Sequence, residues 1–196
     1  WYDKAQPVVA IACRYFRAVS WRDATMTGRP RATNSNKPSG NMIRDSALGL
    51  VPETLDHYMG LNRNIWENGP LCPAEIEIAR LRNARKVNCV FCKSVRYDIA
   101  RADGLDEDRV AMIEDGYRDS ALSEREKLIL AFTDQFLNDP GGLGELLKAE
   151  LLAEFSTQEL VHLSMVVAHF SGFSRCAVAL GGMPDSLPIM EISLPQ

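Results

Sequence analysis

The chain has 196 residues, 46% of them hydrophobic and 24% charged, the balance of one ordinary globular domain with enough apolar mass for a core. Its 22 basic and 26 acidic residues leave a net charge of −4, which gives no overall drive toward nucleic acid or an anionic membrane surface. No uninterrupted run of roughly 18 apolar residues occurs, so no bilayer span is expected; five cysteines are also too sparse, and odd in number, for a disulfide-stapled scaffold.

The chain opens at Trp1. The apolar run from Val8 to Cys13 is too short for a signal sequence and is followed by Arg14 and Arg17, so a cytoplasmic location is expected. Residues 4–20 predict a helix. Residues 22–52, with Gly28, Pro30, Pro38 and Gly40, cannot continue it. A surface loop, a lid over a site and an arm onto a neighbouring subunit are all open for this stretch. The organisation expected is therefore an N-terminal helix and arm over 1–52 and a helical core over 53–196.

From residue 53 onward the apolar spacing is helical throughout. Leu55, Met59 and Trp66 mark a first helix, and Pro73 opens the next at its first turn, where a missing N–H is harmless. A further helix is predicted from about Cys89 to Ala102, ending at Gly104, and a short one over 106–114. Ser123 with Glu126, and Ser156 with Glu159, are capping boxes that open two more helices. Asn138 to Gly142 stops the first of these, and Ser171-Gly172 offers a break in the second before it ends at Gly181-Gly182. No alternating strand pattern is present, and the fold expected is all-α. Aligning Glu77 with Glu159 also superposes Leu81 on Leu163, Phe91 on Phe173, and Cys89 and Cys92 on Ser171 and Ser174, which suggests two related helical hairpins.

Cys89-Val90-Phe91-Cys92 is the motif that carries chemistry. On a helix two sulfurs three residues apart share a face and can close a disulfide. Asn88 as N-cap would set Cys89 in the first turn, where free N–H groups favour a thiolate. Arg96, one turn beyond Cys92, would lower a thiol pKa further. Half of a zinc site and plain buried cysteines are the competing readings. Glu77, twelve residues upstream, can face the thiols across a helical hairpin and relay protons, or lie solvated on its helix. No Gly-rich loop follows a strand, so no nicotinamide or flavin site is indicated, and neither a cofactor nor a bound metal is expected.

The run from Glu77 to Cys92 resembles the alkylhydroperoxidase D-like / carboxymuconolactone decarboxylase family, over a core of roughly residues 53–181. The resemblance implies an all-helical bundle that assembles as a homo-oligomer, commonly a trimer or hexamer, and reduces hydroperoxides with electrons from an external thiol or dithiol. By position it makes Cys92 peroxidatic, Cys89 resolving and Glu77 part of a proton relay. The family usually has a His where this chain has Arg96, and a guanidinium cannot act as general acid or base. His169, late in a long apolar helix, is the candidate replacement, against the reading of a core histidine with one backbone partner.

Three functions are open at this point. The first is a thiol oxidoreductase acting on a hydroperoxide or disulfide. The second is a non-redox decarboxylase or lyase, with Arg96 gripping a small carboxylate and Glu77 or His169 moving the proton. The third is a non-catalytic helical protein with structural thiols. Cys13, Cys72 and Cys176 are read as structural. Trp1, Tyr2, Trp21 and Trp66 are read as surface available for self-association, with burial in the core as the alternative.

Overall fold

The computed structural model describes residues 31–34 and 39–194. The helix expected over 4–20, Cys13, Trp1, Tyr2 and Trp21 lie outside the described residues. Among the described residues the fold is all-α apart from one short strand pair. Its helices are α1 (Pro52–Glu67), α2 (Pro73–Lys86), α3 (Val90–Ser94), α4 (Asp98–Ala102), α5 (Glu107–Ala111), α6 (Glu124–Asn138), α7 (Glu145–Glu154) and α8 (Thr157–Leu180). The strands are β1 (Val95–Tyr97) and β2 (Met190–Ile192), which run parallel with Arg96 opposite Glu191.

Helix starts follow local chemistry. Pro52 and Pro73 occupy first-turn positions of α1 and α2. Ser123 and Ser156 accept from the N–H groups of Glu126 and Glu159, whose carboxylates reach back to the serine N–H groups. Arg125 of α6 then donates to both Glu75 and Glu159, each at 2.5 Å, fastening the starts of α2 and α8 to one guanidinium. At the far end Gly181 stops α8 with φ of +73°, a conformation that costs glycine little. Arg31 gives the last α8 carbonyls a partner, donating to Ala179 at 2.6 Å.

Helix α2 is the hub, packed between α6 and α8 and buried on nearly every face. Ile76, Ile78, Ala79, Leu81 and Ala84 supply its apolar contacts. A helix buried all round must pair whatever polar groups it carries. Arg82 is met by Asp134 through two 2.7 Å bonds and by Asp115 at 2.8 Å, while Glu77 and Arg80 meet each other.

Several local expectations are corrected. The helix predicted over 89–102 is broken into α3, β1 and α4. Its cause is tertiary: Arg80 takes the carbonyls of Cys92 and Val95, both at 2.8 Å, which a continuing helix would use internally. Ser171-Gly172 does not break α8, where Ser171 is buried and its hydroxyl accepts from Arg175 at 3.1 Å. The first of the two superposed segments is thus a hairpin of α2 and α3, and the second is one uninterrupted helix. Among the described residues α8 is the helix long and apolar enough to cross a membrane by length and composition; here it packs against α1, α2 and α6 as a core helix. Trp66 is core, not surface, and Cys72 and Cys176 are exposed free thiols.

Candidate active site

Cys89 and Cys92 form a disulfide, with Cα atoms 5.2 Å apart. Asn88, expected as N-cap, instead takes the left-handed conformation at φ 56° and turns the chain between α2 and α3. Cys89 itself is the N-cap, and its sulfur accepts from the Cys92 N–H at 3.2 Å. The two sulfurs differ in setting. Cys89 is fully buried against Ala84, whereas Cys92 is 7% exposed and lines a cavity.

That cavity has a volume of about 30 Å³, room for roughly two water molecules. Six elements contribute to its wall: Tyr58, Met59 and Asn62 come from α1, Arg80 from α2, Phe91 and Cys92 from α3, Val95 and Tyr97 from β1. Helix α8 adds His169, Phe170, Phe173 and Ser174, and β2 adds Ile192. Ile43, from the segment before α1, completes the wall, so part of the 22–52 stretch does lie over the site.

The groups around Cys92 are ordered by donation. Asn83 Nδ2 donates to Ser174 Oγ at 3.1 Å, and Ser174 Oγ donates to Cys92 Sγ at 3.3 Å. A hydroxyl aimed at sulfur favours its anionic form once the disulfide is reduced. Ser174 is the residue that the superposed segments match to Cys92, so the sequence did carry a pointer to it.

Glu77 is paired within its own helix. Its carboxylate is bidentate to Arg80, at 2.6 and 2.7 Å, and also accepts from the Tyr97 N–H at 3.3 Å. The pair is 1% and 4% exposed. Burial opposes the Arg80 charge, but Glu77 outweighs it and holds the guanidinium above its ordinary pKa. Among the described residues Glu77 is linked to the Cys92 backbone through Arg80, one turn on, whose spacing in the sequence gives no sign of that role.

Arg96 is also placed elsewhere than expected. The strand that follows α3 carries it off the face of Cys92, and it does not line the cavity. Its guanidinium is engaged by Glu107, at 3.0 Å from Nε, and by the carbonyls of Lys93 and Val95.

His169 does line the cavity. Its ring stacks on Tyr58 with centroids 4.3 Å apart, and the Tyr58 hydroxyl donates to the His169 carbonyl. Nε2 lies 3.2 Å from Asn62 Oδ1, an acceptor, a contact that fits the tautomer with the proton on Nε2. Nδ1 is then a bare acceptor, buried and without a partner among the described residues. Burial pushes the His169 pKa down to about 4, so the ring is neutral at pH 7.

Burial lowers His162 as well. An unfolded histidine titrates near 6.5, so between pH 6.5 and 4 the unfolded chain binds more protons than the folded one. Stability contributed by neutral His169 is full above pH 6.5 and is lost as pH falls, by about 3 kcal/mol at pH 4. Urea midpoints are expected to fall from pH 6.5 downward, with a shallower fall in His169→Phe. Level wild-type midpoints from pH 7 to 5 would contradict this.

No family model matches the chain. Two uncharacterised proteins of Mycobacterium tuberculosis, from strains CDC 1551 / Oshkosh and ATCC 25618 / H37Rv, are each 32% identical to it over 145 residues. The match covers 68% of this chain and 50% of each relative, so the chain spans about half the length of the curated relatives it matches.

Among solved structures, an Agrobacterium tumefaciens protein of unknown function, named for antioxidant defence as AhpD, aligns with a TM-score of 0.58 at 22% identity. It covers 76% of this chain and 94% of its own. An uncharacterised peroxidase-related protein from Ralstonia eutropha JMP134, described as an alkylhydroperoxidase AhpD core, aligns at 0.61 and 17% identity, covering 71% and 75%. A peroxidase-related protein from Silicibacter sp. TM1040 aligns at 0.58 and 18%, covering 68% and 71%. The chain has the alkylhydroperoxidase D-like fold.

Proposed function

We propose that the chain is a thiol-dependent oxidoreductase that reduces small organic hydroperoxides at Cys92. The observation that carries this reading is the Cys89–Cys92 disulfide lying against a cavity that only Cys92 of the pair lines. In the reduced protein the Cys92 thiolate, held by the Ser174 hydroxyl, attacks the terminal peroxide oxygen and becomes a sulfenic acid. His169 Nδ1 accepts the hydroperoxide O–H and orients it. Cys89, three residues away, condenses with the sulfenic acid, releasing water and closing the disulfide. An external thiol or dithiol then reduces it. The small volume and apolar wall suit the peroxide end of a short organic molecule.

The lyase reading depended on Arg96, which Glu107 and two carbonyls engage away from the cavity. Arg80, the guanidinium that does line the cavity, is already neutralised by Glu77. No observation here favours a carboxylate substrate. A homo-oligomeric, cytoplasmic protein remains part of the proposal, and exposed Leu61, Val161 and Met165 offer apolar surface for self-association. The test of the function is to add one equivalent of tert-butyl hydroperoxide to the reduced protein and count the thiols that remain.

A further inference from the structure

We infer that Arg80 donates a hydrogen bond to the leaving oxygen of the hydroperoxide, and so is a catalytic residue of the reaction at Cys92. This rests on the hydroperoxide-reducing function proposed above. An arginine side chain carries five N–H donors in a rigid plane. For Arg80, Nε donates to Glu77, Nη2 to Glu77 and to the Val95 carbonyl, and Nη1 to the Cys92 carbonyl at 2.8 Å. These four bonds leave one N–H on Nη1 with no acceptor among the described residues. The nitrogen that bears it is already bonded to the backbone of the attacking cysteine, and Arg80 lines the cavity that Cys92 lines. The guanidinium is fixed on every other side, so the spare donor needs no reorganisation when charge develops. Glu77 cancels the charge of the pair, and a directional donor is what remains for the cavity.

The Cys92 thiolate forms an S–O bond to the terminal peroxide oxygen while the O–O bond breaks. Sulfur loses two electrons and becomes the sulfenic acid, and the hydroperoxide gains them and leaves as an alkoxide. Arg80 holds the alkoxide oxygen but keeps its own proton. The alkoxide becomes an alcohol by taking a proton from solvent, equal to the one that Cys92 released on ionising.

The test compares two oxidants that differ in leaving group: tert-butyl hydroperoxide, which expels an alkoxide, and peracetic acid, which expels a stable carboxylate. Disulfide formation in reduced full-length protein is timed by acid quench and mass spectrometry. The variant is Glu77→Gln/Arg80→Met, which removes both charges together. The double variant is expected to lose about 100-fold with tert-butyl hydroperoxide and only a few-fold with peracetic acid. Arg80→Lys, which keeps the ion pair and loses the fork, is expected to shift the ratio of the two rates by about 10-fold and serves alone if the double variant does not fold. Equal losses with both oxidants, or an unchanged ratio in Arg80→Lys, overturn the inference and leave the function standing. A wild-type protein inert to both oxidants overturns the function itself, and the inference with it.

Discussion

Cys92→Ser is expected to abolish hydroperoxide reduction, lowering the rate by on the order of 1,000-fold or more, to the background of the remaining thiols. Cys89→Ser is expected to behave differently. It keeps the first step and stops at a sulfenic acid on Cys92, which a dimedone adduct would reveal. The asymmetry follows from placement. Cys92 lines the cavity and takes a hydrogen bond from Ser174, whereas Cys89 is buried against Ala84 and accepts from the Cys92 N–H. A sulfenic acid that forms on Cys89 in Cys92→Ser would reverse the roles.

The largest expected stability effect lies at Glu77. Glu77→Gln leaves the Arg80 guanidinium buried without a counter-charge, at a cost of about 3–5 kcal/mol. For a chain of this size that lowers the thermal midpoint by roughly 10 °C. The pair also holds the carbonyls of Cys92 and Val95, so its loss loosens the end of α3. The double variant Glu77→Gln/Arg80→Met removes both charges and is expected to regain most of the midpoint. A midpoint for Glu77→Gln within about 1 °C of wild type would show that the buried pair is not what holds this part of the core.

The features legible in the sequence are those set by short-range chemistry. Pro73 and the Ser123/Glu126 and Ser156/Glu159 boxes determine helix starts within a turn, and all three stand in the structure. The Cys-x-x-Cys spacing is enough to bring two sulfurs together, and they are bonded. What was hidden depends on distant partners. The break after Ser94 requires Arg80 to reach the Cys92 and Val95 carbonyls, and a β2 strand nearly a hundred residues away to pair with β1. Nothing in the spacing of Arg96 tells that Glu107 will engage it. For Glu77 the spacing left open whether it meets the thiols or lies solvated; it is buried and paired with an arginine one turn on, because a helix packed on all sides leaves a charge few other ways to be neutralised. His169 was legible as a late residue on an apolar helix; its bare Nδ1 follows from Asn62 of α1, which only the packed fold brings near.

The most direct measurement is a thiol count on the fully reduced protein after one equivalent of tert-butyl hydroperoxide, with peptide mapping of the oxidised product. Two of the five thiols are expected to disappear, the mapped bridge to join Cys89 to Cys92, and a dithiol to restore both. Five thiols still present, or a bridge through Cys72 or Cys176, would contradict this.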